Sequence, residues 1–171
     1  MTRIAVLGTT LCLAGGLAAC DTISEPPTTA PDMRAAASVG QTDAPQPLKG
    51  ELRGSDEYGA LCGGGQGIII TSTATGTVSH FGQTLMVSTS CVNWSNLTVI
   101  GDFPFNLTAA NGDQAGGLIT SFVFTDYGFD LHATISWGTG RFENATGELV
   151  FPTRSDNTGD WTSGVDGWIR Y

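Results

Sequence analysis

Phe129-Asp130-Leu131-His132-Ala133-Thr134-Ile135-Ser136-Trp137 alternates apolar and polar residues without a break. Period two puts Phe129, Leu131, Ala133, Ile135 and Trp137 on one face of an extended chain and Asp130, His132, Thr134 and Ser136 on the other. This is the pattern of a half-buried strand. Upstream, Val99, Gly101, Phe103, Phe105 and Leu107 alternate against Asp102, Pro104, Asn106 and Thr108. Downstream, Val165, Gly167, Ile169 and Tyr171 alternate with Asp166, Trp168 and Arg170. Further strands are predicted near 48–54, 67–79, 83–92, 115–125 and 146–153. Turn clusters separate them: Asn111-Gly112-Asp113, Asp126-Tyr127-Gly128, Gly138-Thr139-Gly140 and Asn157-Thr158-Gly159. No segment after residue 50 keeps a helical period. The pattern predicts an all-β domain over 50–171, a small antiparallel β-barrel of about eight strands, because closure removes the exposed sheet edges.

The segment before the barrel has a different composition. Asp21 to Lys49 holds five of the seven prolines, at 26, 27, 31, 45 and 47, among Thr, Ala, Ser and Asp. Few of its residues can anchor a core, so 20–49 is expected to be a disordered linker. Pulled straight it reaches roughly 100 Å; as a coil it spans about 30 Å.

At the N-terminus, Met1-Thr2-Arg3 is a short basic start, Ile4 to Gly16 is apolar or small, and Leu17-Ala18-Ala19-Cys20 closes the run. This organisation is that of a signal peptide and is short for a membrane span. Leu17-Ala18-Ala19-Cys20 resembles the lipobox of bacterial lipoproteins. That resemblance implies cleavage of residues 1–19, lipidation of Cys20 with acyl chains such as palmitate, and a domain anchored to the membrane through lipid on Cys20. The protein would then be extracytoplasmic, in the bacterial cell envelope. Each buried methylene contributes about 0.8 kcal/mol, so two or three acyl chains hold where one does not.

Cysteine usage follows from this. Of four cysteines, Cys12 lies in the signal segment and Cys20 in the lipobox. Cys62 and Cys91 remain, an even pair in an exported domain, which predicts a disulfide; two separate buried thiols are the alternative. A metal site is not expected: no Cys-x-x-Cys occurs, and the only histidines, His80 and His132, are far apart in sequence. Without Arg3, six basic residues face sixteen acidic ones. Such a surface repels phosphate backbones, so no nucleic-acid partner is expected.

Within the barrel region, Ser79-His80-Phe81-Gly82, Ala109-Ala110-Asn111-Gly112-Asp113 and Gly138-Thr139-Gly140-Arg141-Phe142 fall in order, the last followed by Ala145-Thr146-Gly147. Together with the closing Gly167-Trp168-Ile169-Arg170-Tyr171, they resemble exported bacterial proteins of the allene oxide cyclase barrel-like group, whose barrel is shared with plant dirigent proteins. The resemblance covers roughly 50–171. It implies an antiparallel barrel of about eight strands with an apolar interior, and it places no catalytic residue on this chain. In it, Gly138 to Phe142 reads as a chain-reversing turn with Phe142 plugging the core.

Chemistry-bearing residues are few. There is no Gly-x-Ser-x-Gly elbow and no His-Glu-x-x-His. Gly63-Gly64-Gly65 is not a phosphate loop, since no Lys-Ser or Lys-Thr follows. His80 is the best general-base candidate, with Asp113 as a partner at a barrel mouth. Arg141 is a candidate anion contact, and His132 a candidate lumen contact, although its strand places it on the polar face. Asp156, Asn157, Asp160 and Asp166 offer hard oxygen ligands of the kind that hold Ca²⁺, but without the spacing of an EF-hand loop. Trp94, Trp161 and Trp168 are candidates for an aromatic binding surface. No cofactor is implied. These features favour a non-catalytic envelope lipoprotein whose barrel binds a small apolar ligand or a protein partner. A structural envelope component, or a dirigent- or cyclase-like enzyme acting on an apolar substrate by cavity shape, are the alternatives.

Overall fold

A computed structural model describes residues 44–156 and 158–171. The expected signal peptide, Cys20 and most of the linker lie outside the described residues. The predicted strands appear as β1 (Gln46–Cys62), β2 (Gly67–Val78), β3 (Gly82–Asn93), β4 (Pro104–Ala109), β5 (Gln114–Thr125), β6 (Gly128–Gly138), β7 (Thr146–Ser155) and β8 (Asp160–Arg170). Each pairs antiparallel with its sequence neighbours, and β1 closes the sheet on β8 through Gln46↔Ile169 to Ser55↔Asp160. The result is a closed eight-stranded up-and-down barrel.

Period two decides which residues fill it. Leu48, Leu52, Val78, Leu107, Leu149, Phe151 and Ile169 point inward and are buried. Thr73, Thr75, Thr77, Glu148, Asp166 and Arg170 are exposed on the outside. This apolar-in, polar-out arrangement is the reverse of a membrane-spanning barrel.

Three local differences from the sequence reading have physical causes. The first strand runs from Gln46 to Cys62, beyond the predicted 48–54 at both ends. Leu48, grouped with the linker, is 0% exposed, and Pro47 is tolerated at the start of the strand. Val99 to Phe103 does not extend β4. Gly101 takes φ +80 there, and Val99 makes only a single bridge to Val92. Trp137, expected on the apolar face, is 40% exposed, its indole over Gly116 where the β5–β6 register slips between Gly116 and Gly117.

A second slip, between Ile119 and Ser121, shifts the phase of β5. Ala115 and Ile119 face the core, but beyond the slip it is even-numbered Phe122 and Phe124 that reach the lumen. Gly117 makes the tight coiling here achievable: a Cβ at that position would overlap the Thr134 carbonyl oxygen.

The two ends of the barrel differ. Three turns, 79–81, 110–113 and 139–145, gather with Tyr171 at one end. There Phe142 is 0% exposed and stacks on Phe81 with ring centroids 4.2 Å apart, while Tyr171 meets Phe142 edge-on at 5.0 Å. Phe142 thus plugs the core, as the turn reading expected. The connections 63–66, 94–103 and 126–127, with Asp156, Thr158 and Gly159, form the other end. Cys62 and Cys91 are joined in a disulfide there, with Cα atoms 6.0 Å apart, which ties the end of β1 to β3 across β2.

Candidate functional site

The plugged end leaves no room inside it, so a site within the lumen has to lie toward the other end. A cavity of about 280 Å³ opens there. Its apolar wall comes from Ile70 of β2, Val92 of β3, Phe122 and Phe124 of β5, and Phe129 and Leu131 of β6. Leu97, Val99 and Phe103 of the β3–β4 connection lie over it. Phe129 stacks on Phe122 at 4.7 Å, and Phe124 meets Phe122 edge-on at 4.8 Å, so the aromatic side is a packed cluster.

Most of the rest of the lining is polar. Ser88, Ser90, Thr153 and Ser163 are buried and line the cavity together with Ser72, Asp56 and Trp161. Thr153 Oγ1 and Ser163 Oγ are 3.0 Å apart, and Thr153 Oγ1 also donates to the Phe151 carbonyl at 3.0 Å. Asp56 Oδ1 accepts from Ser72 Oγ at 2.6 Å and from Trp161 Nε1 at 2.9 Å. These bonds fix the carboxylate and the indole on adjoining strands. A mostly apolar pocket with a few convergent polar groups has the composition of a small-molecule site.

Around this mouth, hydrogen bonding sets two titrations. Tyr127 donates to Asp130 Oδ1 at 2.6 Å, which pushes the phenol above its ordinary value, with desolvation acting the same way. Asp156 accepts from Thr158 Oγ1 at 2.6 Å and Thr158 N at 2.8 Å, which holds its carboxyl below the usual carboxylate range.

None of the four candidate ligand contacts lines this cavity. Asp113 and Arg141 do come together, but at the plugged end. Arg141 Nε lies 3.6 Å from Asp113 Oδ2, and Asn111 Nδ2 donates to the same oxygen at 2.7 Å. This pair ties the β4–β5 turn to the β6–β7 turn, and the Arg141 guanidinium lies 4.8 Å from the Phe142 ring centroid. His80 does not meet Asp113. It sits in the β2–β3 turn at φ +66, with Nδ1 3.3 Å from Tyr171 Oη. His132 is exposed on the outside of β6, in a surface groove beside Glu148, Asp166 and Trp168. The three tryptophans form no common surface: Trp161 lines the cavity, Trp168 the outer groove, and Trp94 is 50% exposed at the mouth. Asp166, read with the acidic stretch, pairs instead with Lys49. Among the described residues, no three His, Cys, Asp or Glu side chains gather as a metal site.

Sequence reasoning missed Asp56. A signal was present: Leu48, Gly50, Leu52, Gly54 and Asp56 keep period two, so extending the first strand carries Asp56 inward.

No family model and no curated protein matches the sequence. Among solved structures, the chain is similar to a pterocarpan synthase dirigent protein, with a TM-score of 0.54 and 17% identity, over 84% of this chain and 99% of that one. At this identity the likeness shows the fold, an eight-stranded barrel of the dirigent kind.

Proposed function

We propose that this protein is a bacterial envelope lipoprotein, anchored through lipid on Cys20, whose barrel holds a small apolar ligand in the lumen. The observation that carries the binding half is the 280 Å³ cavity, lined by Phe103, Phe122, Phe124, Phe129 and Leu131 together with hydroxyls and one carboxylate. At a protein-like packing density of about 0.74, the cavity accepts roughly 200 Å³ of ligand, the size of a two-ring aromatic. The signal-peptide pattern ending at Leu17-Ala18-Ala19-Cys20 supports the anchor. The neighbouring dirigent structure is of a pterocarpan synthase, and the same cavity would suit an enzyme acting on an apolar substrate. Binding is the reading preferred, because among the described residues lining the lumen no activated nucleophile or base stands beside Asp56.

Native mass spectrometry of the protein extracted from its own membrane tests the binding half. A small molecule should co-purify with the wild type and be lost from Leu131→Trp, which fills the cavity. An empty barrel in both refutes lumen binding. For the anchor, Cys20→Ser should release the protein from the membrane fraction, and persistent attachment refutes lipidation.

A further inference from the structure

We propose that the lumen ligand is an organic cation, an apolar body carrying a protonated amine, with the Asp56 carboxylate as its counter-ion. This rests on the lumen-binding reading and names the ligand class for it. Among the described residues, Asp56 is the one ionisable side chain lining the cavity, and no Lys, Arg or His lines it. Its Oδ1 is engaged by Ser72 and Trp161, while Oδ2 has no protein partner among the described residues. Asp56 is half-buried at the cavity with Oδ2 free to accept, and an ammonium group supplies both the donor and the opposite charge.

Two further observations point the same way. The cavity that Asp56 lines is also lined by the aromatic rings of Phe103, Phe129 and Trp161, and a ring's negative quadrupole attracts a cation that reaches it and offers an anion nothing. The approach is also acidic. The four connections at this end carry Asp102, Asp126 and Asp156 and no Lys or Arg. Arg154, from β7 nearby, lies over the Tyr127 ring, 5.4 Å from its centroid, rather than across the opening. Such a mouth draws cations in and turns anions away. A neutral alcohol could donate to Oδ2 but would use neither the ring faces nor this field.

The test is isothermal titration calorimetry of the full chain with three probes of one shape: 1-naphthylmethylamine, 1-naphthalenemethanol and 1-naphthoate. The ammonium should bind roughly tenfold or more tighter than the alcohol, and the carboxylate weakest. Asp56→Asn keeps the shape and can still accept from Ser72 and Trp161; it should bring the ammonium to the affinity of the alcohol. Asp56→Glu keeps the charge and should keep the preference. Equal binding of ammonium and alcohol by the wild type overturns the cation assignment and leaves lumen binding standing. No binding of any probe overturns both. A preference that survives Asp56→Asn removes Asp56 as the counter-ion. The wild-type series needs no variant, so a variant that fails to fold does not protect the proposal.

Discussion

Removing the disulfide should lower the stability of the barrel by an amount its loop length fixes. Cys62 and Cys91 are 29 residues apart in sequence. In the chain-entropy view, opening a loop of this size releases about 3.6 kcal/mol of restraint on the unfolded chain. Unfolding entropy near 60 °C is about 2.1 cal/mol/K per residue, so for the barrel from 44 to 171 the melting temperature should fall by about 13 °C. The double replacement Cys62→Ala/Cys91→Ala is preferable to either single one, which leaves a lone reactive thiol. Thermal and urea melts followed by circular dichroism measure the loss, and the reduced wild type is the matched control. The native contacts should change little, because β1 and β3 remain hydrogen-bonded to β2 through Cys62↔Gly67 and Ile69↔Cys91. The urea slope should rise slightly as the unfolded chain expands. A fall of less than about 4 °C would refute the argument. It would mean that the unfolded chain already holds this hairpin region together, or that the cross-link strains the native mouth.

Other outcomes follow from the plugged end and the turns. Phe142→Ala removes a fully buried ring stacked on Phe81 and should cost about 3–5 kcal/mol in urea denaturation; a loss near zero would show that the turn does not close the core. Gly140→Ala should cost more than about 1 kcal/mol, since Gly140 has φ +57 and a Cβ there would overlap the Asp113 carboxylate. In a double-mutant cycle, Asp113→Ala should relieve part of that cost, and strict additivity would argue against the clash. Thr158→Val removes one hydrogen bond to Asp156 and should raise that carboxyl toward its ordinary value in an NMR titration. Because the folded value is depressed, whatever this turn adds to stability is present at neutral pH and is lost as pH falls through the folded value. An unchanged titration would mean that the backbone N–H of Thr158 alone sets it.

The barrel was legible because its signals are local and repeated. Phe129 to Trp137 alternates cleanly, the turns carry Asn-Gly and Gly-Thr-Gly, and all eight strands lie where the pattern put them, within a few residues at most ends. Three ends differ more: the pattern puts β1 at 48–54, β4 from Val99 and β8 from Val165, and the strands are Gln46–Cys62, Pro104–Ala109 and Asp160–Arg170. The Cys62–Cys91 pair was legible by elimination. The cavity was not. Its polar wall puts Ser72, Ser88, Ser90, Thr153 and Ser163 inward, and inward serine looks in a sequence like outward serine. In β3, Leu85 is 40% exposed while Ser88 is 3% exposed, an inversion that hydrophobic alternation cannot announce. Register slips compound this, since the one at Ile119–Ser121 moves Phe122 and Phe124 to the lumen side. His80, Asp113 and Arg141 were chosen for their chemistry, and turns at the plugged end use that chemistry for structure instead.

The same division explains why the family resemblance carries no activity. Ser79 to Gly82, Ala109 to Asp113 and Gly138 to Phe142 are the three turns of the plugged end, and the closing strand delivers Tyr171 to it. These segments build the scaffold: Phe81 on Phe142, Asp113 on Arg141, His80 on Tyr171. The residues that would choose a ligand, Asp56, Ser72, Phe129 and Trp161, lie in strand stretches outside all of them. A serine where valine would fit forfeits apolar burial, and a carboxylate in the lumen costs more. Departures from the most stable filling are expected where function needs them. Here the inward hydroxyls and the carboxylate line the cavity toward the open end, while Phe81 and Phe142 fill the plugged end. The recognisable part of the sequence therefore encodes the container, and the cavity lining lies in strand stretches without a recognisable motif.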